Sequence, residues 1–170
     1  MYKNIIINGL AIIALAIIDS TLMGSLPFGL YRFHLFPIAL VFVLLLSNLR
    51  VAAWWTLGGG LILEIFSFRP FGAYIFLLFF TLAIIEFLLN KFITNRSIYS
   101  IVIITVVVTL IWDIAFFISD FRLGLTSFSQ TYWLKVLPLS LAINIIGAGI
   151  IFYIINSLSK RLRPVFLSFK

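Results

Sequence analysis

Long apolar runs follow one another along the whole chain, separated by short stretches of polar, basic and turn-forming residues. The runs are apolar on every side. This is typical of helices that cross a lipid bilayer, because hydrocarbon offers backbone N–H and C=O groups no partners. A β-barrel would instead alternate apolar and polar positions. The pattern predicts six helices, at about residues 4–23, 33–47, 51–66, 72–93, 97–119 and 135–158.

Two of these predicted helices are short for a membrane span. A hydrocarbon layer about 30 Å thick needs about 20 helical residues, and the runs at 33–47 and 51–66 fall below that length. Either the bilayer is thinned around them, or they lie partly inside the helix bundle.

Composition indicates a protein that lies almost wholly in lipid. The 170 residues are 64% hydrophobic and only 10% charged, whereas a soluble domain carries about a quarter charged residues. We therefore expect an all-α, polytopic integral membrane bundle. Residues 1–170 form a single transmembrane domain, with no room for a soluble catalytic module. The absence of cysteine excludes disulfides, thiolate metal ligands and cysteine nucleophiles.

Basic residues determine the expected orientation. The net charge of +7 does not indicate a nucleic-acid partner, because the basic residues are scattered between apolar runs and favour contact with membrane lipid. Eight lie on one side of the predicted bundle: Lys3, Arg50, Lys91, Arg96, Lys160, Arg161, Arg163 and Lys170. Four lie on the other side: Arg32, Arg69, Arg122 and Lys135. Since positive residues stay cytoplasmic, both chain termini are expected in the cytoplasm.

Ionisable residues inside a membrane are costly, so they are candidates for function. At a rise of about 1.5 Å per residue, Asp19, Glu64 and Asp113 all fall in the outer half of the membrane. Arg32 and Arg69 lie near the same level, and we expect outer ion pairs such as Glu64 with either arginine. Such pairs either lock the helices together or form the wall of a ligand pocket.

A short turn motif occurs twice. The string Pro-Phe-Gly-x-Tyr covers residues 27–31 and 70–74, and an acid precedes each copy. Proline suits the first turn of a helix, and glycine permits a sharp reversal. Pro70 and Gly72 are therefore candidate structural residues of an outer turn that leads into the fourth helix. The repetition reflects either a duplicated helical hairpin or chance.

Small residues mark the expected helix contacts. Gly58, Gly59 and Gly60 stand together in the third helix. Asn144 and Gly147 lie in the sixth helix, among further small residues. Small and weakly polar residues let membrane helices approach closely and hydrogen-bond across the contact. We expect these faces to pack within the bundle, and homo-oligomerisation through the sixth helix is the alternative.

Sequence motifs of enzymes are missing. The chain has no HExxH, no GxSxG and no glycine-rich phosphate loop. Its single histidine, His34, has no second histidine with which to share a metal. We therefore expect no catalytic residues, no metal and no cofactor. An intramembrane hydrolase built on Asp113 and Glu64 is the disfavoured alternative.

One segment resembles a known family. Residues 58–100 read GGGLILEIFSFRPFGAYIFLLFFTLAIIEFLLNKFITNRSIYS, and this stretch resembles the rod shape-determining protein MreD family. The shared elements are a Gly-rich helix, an acid near its outer end at Glu64, a short turn at 67–72 and a long apolar helix. The family more often has aspartate at the position of Glu64.

The resemblance implies a non-enzymatic, multi-pass component of the bacterial inner (cytoplasmic) membrane that serves lateral cell-wall growth. Such proteins associate with the periplasmic scaffold MreC and, with it, are linked to the wall-synthesis machinery. Their fold is similar to that of the substrate-binding subunits of energy-coupling-factor transporters, and a subunit of that class is the alternative function. Those subunits often carry alanines four residues apart in the first helix, and Ala11, Ala14 and Ala16 miss that spacing.

Overall fold

In a computed structural model of the chain, residues 2–23, 33–67, 70–91, 98–122 and 136–166 are described. Within these ranges every regular element is helical, as the apolar runs predicted. The six α-helices are α1 (Tyr2–Ile17), α2 (Leu35–Leu46), α3 (Leu49–Ile65), α4 (Ala73–Lys91), α5 (Ile98–Arg122) and α6 (Leu137–Phe166). A π-helical turn, Ile18–Met23, continues α1.

Three helices are long and apolar enough to cross a membrane. In the part of the chain that the structure describes, these stretches are Ala73–Lys91 of α4, Tyr99–Ser119 of α5 and Leu137–Ser157 of α6. Less than half of each stretch is buried inside the protein, and large apolar side chains point away from the bundle. Phe76 of α4, for example, is 74% exposed. An outer surface of this kind suits lipid rather than water, and it is that of a membrane protein.

Helix α2 is too short to cross a bilayer and lies at the centre of the bundle. Its 12 residues correspond to a length of about 18 Å, against about 30 Å of hydrocarbon. It packs against α1, α3, α4 and α5. Its buried residues are Phe36, Pro37, Ile38, Leu40, Val41, Phe42 and Leu45. Of the two explanations for this short apolar run, the structure supports burial inside the bundle.

A tight turn precedes α4. The carbonyl oxygen of Pro70 accepts the N–H of Ala73 at 3.2 Å, and Gly72 has a φ of +96°. A side chain is disfavoured in this left-handed region, so the turn requires glycine at Gly72. This turn is the second copy of the Pro-Phe-Gly-x-Tyr string, and the first copy, at 27–31, lies outside the described residues.

Three consecutive glycines bring α3 into contact with three other helices. Successive helical residues point about 100° apart, so the glycines at 58–60 face different neighbours. In chain order they face Ile12 of α1, Phe36 of α2 and Ile75 of α4. An added Cβ on Gly59 would lie 1.8 Å from the ring of Phe36. One on Gly60 would lie 3.0 Å from the Cα atom of Ile75. At these two positions the helices approach too closely for a side chain.

Candidate functional site

Polar and aromatic side chains meet at one end of the bundle, towards which α1, α3 and α5 run and from which α2, α4 and α6 start. We call this set the polar cluster, and its members are Asp19, His34, Glu64, Tyr74, Trp112, Asp113 and Asn144. Five of the seven are almost completely buried, with exposed fractions between 0% and 7%. Buried polar groups require hydrogen-bond partners, and these partners define the geometry of the cluster.

Two side chains from other helices hold the start of α2. The first N–H groups of a helix have no partner within it. The side-chain oxygen of Asn144, on α6, accepts the N–H of His34 at 2.9 Å. From the π-helical turn after α1, Oδ1 of Asp19 accepts the N–H of Leu35 at 3.1 Å. Asn144 is itself oriented because its amide donates to the carbonyl oxygen of Ser140 at 2.8 Å. Residues of α6 and of the turn after α1 thus cap α2 from two sides.

The His34 side chain links α2 to α5. Its Nε2 atom lies 3.2 Å from Oδ1 of Asp113, and its ring centroid lies 5.7 Å from those of Trp112 and Phe116. Both partners of the pair are almost fully buried, and low polarity around a hydrogen bond strengthens it. An imidazole–carboxylate pair in such surroundings can hold a proton or can fix two helices together.

Glu64 ties the end of α3 to the start of α4. Its Oε1 atom accepts the N–H of Tyr74 at 3.0 Å and that of Ile75 at 3.2 Å. These are N–H groups of the first turn of α4, where a negative charge is also favoured by the helix dipole. The other oxygen, Oε2, is buried with no hydrogen-bond partner among the residues described. The arginines predicted to pair with Glu64, Arg32 and Arg69, lie outside those residues.

Aromatic rings join α4 to α5 beside these groups. The Tyr74 ring lies 6.0 Å from that of Trp112 and 5.9 Å from that of Phe116, within the range at which aromatic pairs attract. The indole N–H of Trp112 donates to Oγ1 of Thr81 on α4 at 3.0 Å. Sequence reasoning did not select Trp112. Its place directly before Asp113 is the signal that could have found it.

Several predicted site residues belong to the polar cluster or adjoin it. Asp19, Glu64 and Asp113 are members of the cluster, and Pro70 and Gly72 form the turn next to Glu64. The lone histidine, which sequence reasoning did not select as a site residue, connects the start of α2 to Asp113 of α5 and to Asn144 of α6. These contacts could not be predicted from the sequence, because Asp113 and Asn144 lie far from His34 along the chain.

Gly147 places α6 against the segment that leads into α2. An added Cβ at Gly147 would lie 2.1 Å from the ring of Phe33. One face of α6 is fully buried here: Ser140, Asn144 and Ala148 are 0–1% exposed. This close approach, like that of Gly59 in α3, lets a side chain of one helix reach the backbone of another.

The polar cluster uses its carboxylates and amide mainly as acceptors for backbone N–H groups. Among the described residues, no group of three or more His, Cys, Asp or Glu side chains is placed to hold a metal ion. Comparison of the chain with protein-family models, with characterised proteins and with solved structures gives no match. A function for this chain therefore has to be inferred from its own residues and their geometry.

Substitution of Glu64 tests the hydrogen bonds at the start of α4. We expect Glu64→Ala to lower the free energy of unfolding by about 1–2 kcal/mol, because two N–H groups lose their acceptor. Glu64→Gln keeps the Oε1 acceptor, so this variant should lower the free energy of unfolding by clearly less. Unfolding in mixed micelles by SDS titration measures both. Equal losses in the two variants would mean that the charge, rather than the acceptor atom, matters.

Proposed function

We propose that this chain is a non-enzymatic scaffold of the bacterial inner membrane, similar in role to the MreD family. It binds an MreC-like periplasmic partner of the machinery for lateral wall growth. In this proposal all six helices belong to the membrane domain and both termini lie in the cytoplasm. The charge asymmetry supports that orientation, because the side with eight basic residues then faces the cytoplasm. The polar cluster lies at the periplasmic end.

One observation carries the proposal, namely the hydrogen bonding of Glu64 to α4. The resemblance to the MreD family consists of a Gly-rich helix, an acid, a turn and a long apolar helix in residues 58–100. Because Glu64 accepts the N–H groups of Tyr74 and Ile75, these sequence elements form one connected hairpin. The turn of that hairpin is thereby fixed in position. Phe71, in this turn, is 81% exposed and is available to a partner.

A second acid supports a structural rather than a chemical use of the cluster. Asp19 accepts the N–H of Leu35 and thereby fixes the start of the central helix α2. A carboxylate in this position stabilises the helix start through both the hydrogen bond and the helix dipole. Residues used in this way build a rigid membrane body, which is what a scaffold requires.

A second candidate function is that of a substrate-binding subunit of an energy-coupling-factor transporter. The observation that favours it is the mixture of groups around His34. Small-molecule sites combine aromatic walls with a few convergent polar groups, and Tyr74, Trp112, Asp113 and Asn144 supply both. In this alternative the ligand contacts the polar cluster from the outer side of the membrane.

Co-purification distinguishes the two functions. We expect the full chain, extracted in mild detergent, to recover a protein with one transmembrane helix and a periplasmic coiled coil, identified by mass spectrometry. Glu64→Ala should insert normally but recover severalfold less of this partner, because the turn at residues 70–72 is no longer fixed. Recovery of a pair of ATPases instead would establish the transporter alternative.

Glu64→Gln is the matched control for this experiment. It keeps the acceptor for the Tyr74 and Ile75 N–H groups, so partner recovery should stay near that of the unmodified chain. If Glu64→Ala recovers as much partner as the unmodified chain, Glu64 contributes only to packing. A topology map with reporter fusions checks the orientation, and chain ends on opposite sides of the membrane would contradict it.

A further inference from the structure

The face of α3 that points away from the bundle carries a graded series of exposed side chains. In chain order these are Arg50, Trp54, Leu57 and Leu61. Their spacings of four, three and four residues place them on one stripe of the helix. The stripe lies on the opposite side of the helix from Gly59, the glycine that faces α2. These side chains are therefore open to whatever surrounds the protein, and Trp54 is 68% exposed.

The order of side-chain types along this stripe matches the order of chemical groups in a phospholipid. At a rise of about 1.5 Å per residue, Arg50 precedes Trp54 by about 6 Å, and Leu61 follows Trp54 by about 10 Å. The headgroup layer on each side of a bilayer is about 5–7 Å thick, and one leaflet of hydrocarbon is about 15 Å thick. Tryptophan prefers the boundary between these two layers. With the indole at that boundary, the cation lies among the headgroups and both leucines lie among the acyl chains.

Arg50 forms no ion pair in the part of the chain that the structure describes. Asp19, Glu64 and Asp113 belong to the polar cluster at the opposite end of the bundle. Glu86 on α4 makes no ion pair with Arg50. A zwitterionic lipid would bring an ammonium group to a face that offers it no acid. An anionic lipid brings a phosphate, which a guanidinium binds through two parallel hydrogen bonds. Charge complementarity therefore favours an anionic lipid.

We propose that this stripe of α3 binds one anionic phospholipid of the phosphatidylglycerol type. The Arg50 guanidinium binds its phosphate, and the Trp54 indole lies beside its glycerol backbone. One acyl chain lies along Leu57 and Leu61. Helices α1 and α4 pack against α3 on its two sides, which leaves the stripe facing the lipid. The site is independent of the proposed scaffold function and requires only that α3 lies alongside lipid.

Quenching of tryptophan fluorescence by brominated lipids tests this on the full chain in bilayers. Brominated phosphatidylglycerol is compared with brominated phosphatidylcholine at equal mole fractions, and Trp54→Phe gives the background from the other tryptophans. Trp54 should select the anionic lipid about fivefold, the factor that one basic residue near an anionic lipid typically contributes. Equal quenching by the two lipids would overturn the proposal. Quenching by neither lipid would show that protein covers this face, and that result would overturn it as well.

Two variants distinguish a site on α3 from a general attraction between charges. Arg50→Gln removes the guanidinium, so the preference of Trp54 for the anionic lipid should disappear. Lys91→Gln is the matched control, because Lys91 is an exposed cation at the same end of the bundle, with its Nζ atom 5.1 Å from the centre of the Phe87 ring. This variant should leave the preference unchanged. Equal loss in both variants would mean that only the net charge of this end attracts the lipid, which contradicts the proposal.

Discussion

Replacement of Gly59 by alanine is expected to destabilise the protein by about 1–3 kcal/mol, the usual cost of overpacking a close-packed interior. The new Cβ would lie 1.8, 2.4 and 2.6 Å from three ring carbons of Phe36. That ring cannot move aside easily, because Phe36 is completely buried and packs 6.3 Å from the ring of Trp55. SDS titration in mixed micelles measures the loss.

Gly149 provides the control for this prediction. It also lies inside a helix, α6, but an added Cβ there would meet nothing within 4 Å. Alanine has the higher helix propensity by about 1 kcal/mol, so Gly149→Ala should leave stability unchanged or raise it. Phe36→Leu, combined with Gly59→Ala, should recover part of the loss, because the smaller side chain makes room. Equal stability of the two alanine variants would contradict the close contact between α2 and α3.

The second large effect is expected from Asp113→Leu, which should cost about 3–5 kcal/mol, the usual loss when one partner of a buried pair is removed. The His34 ring nitrogen would lose its partner at a site where the imidazole is only 9% exposed. Asp113→Asn keeps an acceptor at the position of Oδ1, 3.2 Å from Nε2 of His34. This variant should therefore lose much less free energy of unfolding than Asp113→Leu. The same micellar unfolding assay measures both.

A double substitution separates loss of the hydrogen bond from loss of packing. Replacing both members of a buried pair by apolar residues often costs little. His34→Phe combined with Asp113→Leu should therefore be more stable than Asp113→Leu alone. If the double variant is no more stable than the single one, the pair contributes nothing beyond the volume that its side chains fill.

The apolar pattern was sufficient to predict the helices, because hydrocarbon permits few other backbone structures. The six predicted runs and the six helices of the described residues agree to within a few residues at most ends. The shortness of α2 left two explanations open, a thinned bilayer or burial inside the bundle. The structure supports burial, because α2 packs against four other helices. The π-helical turn at Ile18–Met23 had no signal in the sequence.

The end of the bundle at which the three acids meet was predictable from the sequence, but their contacts were not. Counting residues along the helices placed Asp19, Glu64 and Asp113 at one end, because position along a helix axis depends only on helical rise. Which way each side chain points depends on how helices rotate against one another, and a single sequence does not contain that information. His34 therefore meets partners 79 and 110 residues away.

The partner of Glu64 illustrates the same limit. Membrane depth suggested Arg32 or Arg69, and both lie outside the described residues. The described contacts of the Glu64 carboxylate are backbone N–H groups at the start of α4. Every helix start has such N–H groups without a partner, so their presence is certain from sequence. Which acid reaches them depends on the turn at residues 70–72, whose geometry brings α4 back beside the end of α3.

The glycine triplet of α3 also determines where this bundle can change shape. With its backbone against α1, α2 and α4, α3 cannot slide or rotate without forcing atoms of its neighbours to overlap. Helices α5 and α6 are joined to that body by hydrogen bonds, by aromatic packing and by the close approach of Gly147 to Phe33. Any change of shape is therefore expected to leave α1, α2, α3 and α4 in place relative to one another.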